Sequence, residues 1–152
     1  MKSLLLLSLT LFLIACKTSA TANNQEYSEQ ESFLIEAIQN TSYSAVIKHT
    51  RVEVIPSNDQ DFPEQHIYYA KVIETLNGKE LTTLSYSMFV EEGEDAVIDQ
   101  SPIIVTLCKN GEGFYWPGTG AQFESTPALI NLAKKNVTRV KSHPEQGSHC
   151  NY

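Results

Sequence analysis

The sequence predicts an α+β domain: a curved antiparallel sheet or a small five-stranded barrel, with one helix at each end. Three observations carry this. Runs rich in β-branched and aromatic residues recur through the middle of the chain, at residues 43–55, 67–76, 80–90 and 103–108. Apolar residues at helical spacing fill two short stretches outside those runs, at 31–40 and 127–135. Both faces of the central runs are partly apolar, which calls for a sheet covered on both sides or closed on itself.

The elements follow in chain order. Residues 17–30, rich in Ser, Thr, Ala, Asn and Gln, read as a flexible tether. In 31–40, Phe33, Leu34, Ala37 and Ile38 lie at helical spacing, and Ser28 with Glu31 resembles a capping box. The strand at 43–55 ends at Pro56 and a polar stretch. Asn77-Gly78 predicts a tight hairpin joining 67–76 to 80–90. About that turn Leu84, Tyr86, Met88 and Val90 would lie over Ile67, Tyr69 and Ile73. Ala70, Val72, Leu76 and Phe89 would take the other face. An acidic loop follows, then a buried strand at 103–108. Gly111 and Gly113 precede a short aromatic strand, Phe114-Tyr115-Trp116, and Pro117 to Gly120 form a turn. Thr126-Pro127 reads as N-cap and first position of a helix to Lys135, with Leu129, Ile130, Leu132 and Ala133 inward. The segment from Val137 reads as a polar tail.

Five strands, a glycine-punctuated aromatic strand and a late cysteine are similar in outline to the oligonucleotide/oligosaccharide-binding barrel, including the netrin-like variants of secreted inhibitors. That resemblance implies a barrel and lends no catalytic residue.

The first residues carry an address. Lys2 precedes an apolar run from Leu4 to Ile14, too short to span a bilayer and of the length of a signal-peptide core. Leu13-Ile14-Ala15-Cys16 then resembles the lipobox of small bacterial lipoproteins. The resemblance implies cleavage after Ala15, a diacylglyceryl thioether on Cys16 and acylation of the new amine, palmitate being the usual acyl chain. Several buried acyl chains anchor where one is marginal. Lys17 stands where Asp commonly signals inner-membrane retention, which implies the outer membrane, periplasmic face. The expected organisation is a signal peptide at 1–15, a lipidated tether at 16–30 and one periplasmic domain at 31–152.

Loss of Lys2 leaves the mature chain one unit more acidic than the −7 of the full sequence. That balance argues against nucleic acid, whose phosphates require Lys and Arg clusters, and against charge-driven binding to anionic headgroups. With Cys16 lipidated, Cys108 and Cys150 remain, and export to an oxidising compartment makes a disulfide between them the expectation. Free thiols or a redox pair are the alternatives; no Cys-x-x-Cys spacing supports them.

Motifs carrying chemistry are few. Phe114, Tyr115 and Trp116 form the candidate recognition patch, since aromatic faces stack on sugar rings and glycine admits a close backbone. Phe114 and Trp116 would share one face with Tyr115 opposite, and the plainer reading makes one face core and the rest ordinary. Glu91, Glu92, Glu94, Asp95 and Asp99 could supply oxygens to a hard cation, but their spacing does not match the calcium loop, and a solvated acidic loop is the preferred reading. His143 and His149 beside Cys150 could bind zinc or copper. The disulfide spends that cysteine, and no metal or cofactor is assigned. His49 and His66 read as ordinary surface or satisfied core residues. Neither G-x-S-x-G nor H-E-x-x-H occurs, and no catalytic residue is assigned. The leading expectation is a non-enzymatic, lipid-anchored accessory protein binding an envelope protein or component. An enzyme acting on envelope glycans and a metal-binding stress protein are the alternatives.

Overall fold

Period-two burial along the central strands closes them into a barrel. The computed structural model describes residues 27–56, 64–91, 93–118, 120–140 and 150. Within them lie α1 (Glu29–Asn40), β1 (Tyr43–Ile55), β2 (Glu64–Asn77), β3 (Thr83–Val90), β4 (Ile103–Asn110), β5 (Gly113–Tyr115), β6 (Gln122–Glu124) and α2 (Pro127–Val140). The sheet order is β1-β2-β3-β5-β4-β6, and β1 also pairs with β4, so five strands form a closed ring with β6 as an extra strand on β4. The expected small barrel with a helix at each end is therefore present. It is mixed rather than wholly antiparallel, because β3 and β5 run parallel. That pairing follows from the chain crossing the barrel end before β4, which brings the β4–β5 hairpin alongside β3. Three-residue β6, in a stretch to which the sequence assigns no element, follows Ala121, whose carbonyl accepts from both the N–H and the hydroxyl of Thr106.

Two cores result. The barrel interior holds Tyr43, Ala45, Ile47, Tyr68, Ala70, Val72, Leu84, Tyr86, Ile103, Val105 and Leu107. The second core lies outside the wall. There Leu34, Ala37 and Ile38 of α1 and Leu129, Leu132, Ala133 and Val137 of α2 cover Val46, Leu76, Ile104 and Phe123. Residues 103–108 of β4 are buried on both faces for this reason.

The hairpin register departs from expectation. Tyr86 lies opposite Tyr68, Leu84 opposite Ala70 and Met88 opposite His66, so the inward face of β2 is Glu64, His66, Tyr68, Ala70 and Val72 rather than Ile67, Tyr69 and Ile73. Asn77-Gly78 is not a two-residue turn. The last residues of β2 pair with β1, β3 begins only at Thr83, and the Val72 N–H donates to the Thr82 carbonyl at 2.9 Å. A slip of one residue moves every side chain to the opposite face. Gly78 is still required: its φ is +99°, and a Cβ there would come within 2.7 Å of the Tyr43 ring.

The helices are longer than their sequence signals. α1 begins at Glu29, capped by Ser28 and Glu31 in a reciprocal box, so the expected tether loses its last residues to the domain. α2 runs on to Val140, past Lys135, because Asn136 and Val137 are buried beneath it. The Thr126 hydroxyl accepts from the Leu129 N–H at its start. Cys108 and Cys150 are joined, with Cα atoms 5.3 Å apart. The cysteine expected to be lipidated, Cys16, and the histidines His143 and His149 lie outside the described residues, as does Glu92. No helix among the described residues is long and apolar enough to cross a membrane.

Candidate functional site

Two groups of polar side chains are built by β1, β2 and β3, one inside the barrel and one outside. The inner group follows from a run of alternate residues, Glu64, His66 and Tyr68, on the inward face of β2, with Tyr86 on β3 and His49 on β1. The rings of Tyr68 and Tyr86 stack with centroids 5.5 Å apart, and His49 lies 5.1 Å from Tyr68. His49 Nε2 and the Tyr86 hydroxyl share a hydrogen bond of 2.8 Å. His66 Nε2–H donates to the Glu64 carboxylate at 2.8 Å, while its Nδ1 has no partner among the described residues.

Burial sets the electrostatics here. It pushes the His49 imidazole below its ordinary range, opposed by the nearby Asp99 carboxylate. It raises the Tyr86 phenol far above its usual value, with Tyr68 adding to the effect. Tyr68 is raised by burial and then by Glu94. Asp99 is held low by the backbone N–H and hydroxyl of Ser101, with His49 adding to the effect. The exposed acidic segment that contributes Glu94 and Asp99 thus passes close to this end of the barrel. His66 is only 1% exposed and Tyr86 3%, so the group is closed to a solute and acts as a hydrogen-bonded polar core.

The outer group is open. A bulge in β1 between His49 and Arg51 lets Lys48 and Arg51, three residues apart, share the outward face. The register then lays out rows across three strands: Lys48, Lys71 and Thr83; Arg51, Tyr69 and Ser85; Glu53, Ile67 and Ser87; Ile55, Gln65 and Phe89. Phe89 is 60% exposed and Ile55 40%. The Arg51 guanidinium lies 3.4 Å over the Tyr69 ring and bonds to Glu53, which also accepts from the Tyr69 hydroxyl. A groove of about 710 Å³ crosses this face, lined by Arg51, Tyr69, Lys71, Thr83 and Ser85 among others. A second, of about 160 Å³, continues past Ser87 to Asn110 and Phe114.

Of the aromatic patch expected from sequence, Phe114 borders this surface at the smaller groove. Phe114 and Trp116, both half-buried, pack against the barrel interior. Tyr115 takes the opposite face beside Cys108, and its hydroxyl donates to the Cys150 carbonyl at 3.0 Å. Glu91, Glu94, Asp95 and Asp99 are all solvent-exposed. Among the described residues no group of three His, Cys, Asp or Glu is placed to hold a metal. The sequence reading missed both groups. The inner one had a signal, since alternation of Glu64, His66, Tyr68 and Ala70 extends the strand three residues before its expected start. The outer one depends on the bulge and had none. A scan against protein-family models and a search of curated proteins both give no match.

Proposed function

We propose that this chain is a lipid-anchored, non-enzymatic accessory protein of the bacterial envelope that binds a protein or other envelope component through the outward face of β1, β2 and β3. The observation that carries this reading is the asymmetry of the barrel wall. One half is sealed by α1 and α2. The other half presents a groove lined by Arg51, Tyr69, Lys71, Thr83 and Ser85, with the exposed Phe89 and Ile55 further along the same face. Exposed apolar side chains beside an ordered polar network are the composition of a recognition surface. The lipobox at Leu13-Ile14-Ala15-Cys16 supports anchoring at the periplasmic face of the outer membrane, and the following polar stretch supports a stand-off tether.

The test is chemical cross-linking of tagged, lipidated protein in native membranes, with Phe89→Asp compared to wild type. A stoichiometric partner retained by wild type and lost by Phe89→Asp is the expected result. Recovery of the bait alone, or equal capture by both proteins, overturns the reading.

A further inference from the structure

The chain carries net negative charge, yet Lys48 and Lys71 stand directly opposite one another on β1 and β2. Both are exposed, and among the described residues neither is in an ion pair. Like charges facing across a strand pair destabilise the sheet. Arg51 joins them on the same face, fixed over Tyr69 and oriented by Glu53. Lys71 and Arg51 line the larger groove together with Thr50, Thr82, Thr83 and Ser85. An acidic protein thus places two cations, Lys71 and the Glu53-paired Arg51, in one groove with the hydroxyls of Thr50, Tyr69, Thr82, Thr83 and Ser85, and sets Lys48 next to Lys71 on the same face.

A second observation lies at the same place. Among the described residues β3 pairs along its far edge only through Tyr86 and Ser87, to Phe114 and Tyr115 of β5. The edge at Thr83, Leu84 and Ser85, which lines the groove, has no neighbouring strand among the described residues. An edge of that kind accepts an extended backbone by strand addition.

We propose that this groove receives an extended, carboxylate-rich polypeptide segment. Its backbone pairs with the free edge of β3 at Thr83–Ser85, and its carboxylates are answered by Lys71, Lys48 and Arg51. The proposal rests on the reading of this face as the binding surface and names the chemistry of its partner. A polypeptide is favoured over an anionic glycan for two reasons. The Tyr69 ring face, which would stack on a sugar, is already covered by Arg51. Trp116 packs against the barrel interior, and Phe114 borders the smaller groove rather than this one.

The experiment uses full-length lipidated protein in detergent and a fluorescent peptide of about twelve residues alternating Glu and Val, long enough to pair as an added strand. Its Gln counterpart and a carboxylated oligosaccharide are the comparison probes. Binding of the Glu peptide, but not the Gln peptide, is expected. It should weaken about tenfold or more in Lys48→Glu/Lys71→Glu, and weaken as salt rises from about 0.05 to about 0.5 M. Amide exchange at Thr83–Ser85 should slow when the peptide is bound. Thermal melting of the double variant, and the milder Lys48→Gln/Lys71→Gln, verify that the barrel is intact. No binding of the Glu peptide, equal binding by wild type and double variant, or lysine-dependent binding of the oligosaccharide in its place overturns the proposal. The membrane cross-linking above separates the two levels. A partner lost by Phe89→Asp but kept by Lys48→Glu/Lys71→Glu leaves the binding surface standing and removes its assigned chemistry.

Discussion

His49 and Tyr86 show how a polar pair survives inside a small barrel. Each gives the other its hydrogen bond, at 2.8 Å, and the Tyr68 ring stacks on Tyr86 and tilts against His49. Removing one partner leaves the other buried and unsatisfied, at a cost of about 1–3 kcal/mol. Tyr86→Phe is therefore expected to lower stability by that amount in denaturant titrations, and His49→Leu/Tyr86→Phe by less than the two single changes together. The pH dependence has a definite sign. Burial lowers the folded-state pKa of His49 below its ordinary value of 6.5, so the unfolded chain takes up the proton first. The His49 contribution is fully present above about pH 6.5 and is lost as pH falls from there through the folded-state value. Melting temperatures from pH 8 to pH 5 should fall for wild type, and fall less for the double variant. An equal fall in both would show that another group carries the effect.

Among the elements, the turn after β2 and the disulfide are the points of greatest leverage. Gly78 combines positive φ with the Tyr43 ring against its open side. Gly78→Ala is expected to cost about 1–3 kcal/mol, read as a drop in denaturation midpoint with unchanged slope. The disulfide ties Cys150 to Cys108 on the outward face of β4, next to Tyr115. It closes a span of 42 residues, for which chain entropy gives about 4 kcal/mol. Cys108→Ser and Cys150→Ser should destabilise equally, and the double change should add little, because one bond is removed in all three. Clear additivity in thermal unfolding would show that the two sulfurs stabilise independently.

At the scale of the whole molecule, the proposed anchor and the open face form one design. A lipid at Cys16 and a tether of polar residues would place the domain at a membrane, with α1 leading the chain into it. The helices cover one half of the barrel wall and leave the other open. Cys16→Ser is expected to abolish labelling by palmitate and to move the protein from the membrane to the soluble envelope fraction. Membrane retention of the unlabelled variant would remove lipidation from the account. The protein fold itself should be unaffected, giving the same melting temperature for the soluble variant.

Several features were legible from local pattern alone. Composition and period marked the helices and the main strands, because an amphipathic face needs only its own spacing to be recognised. Ser28 with Glu31, Thr126-Pro127 and the pair Cys108 and Cys150 were readable for the same reason: their partners are close in sequence, or too few to mispair. The small barrel followed from strands apolar on both faces. What only the tertiary structure decided was register and closure. Asn77-Gly78 promised a tight hairpin, yet pairing of the end of β2 with β1 outweighed the local turn preference and moved the inward face to His66 and Tyr68. The bulge before Arg51, the parallel contact of β3 with β5 and the packing of Phe114 and Trp116 against the barrel interior are likewise set by non-local pairing. Both the buried polar group and the open cationic face hang on those choices, because in a strand a single residue of slip exchanges inside for outside.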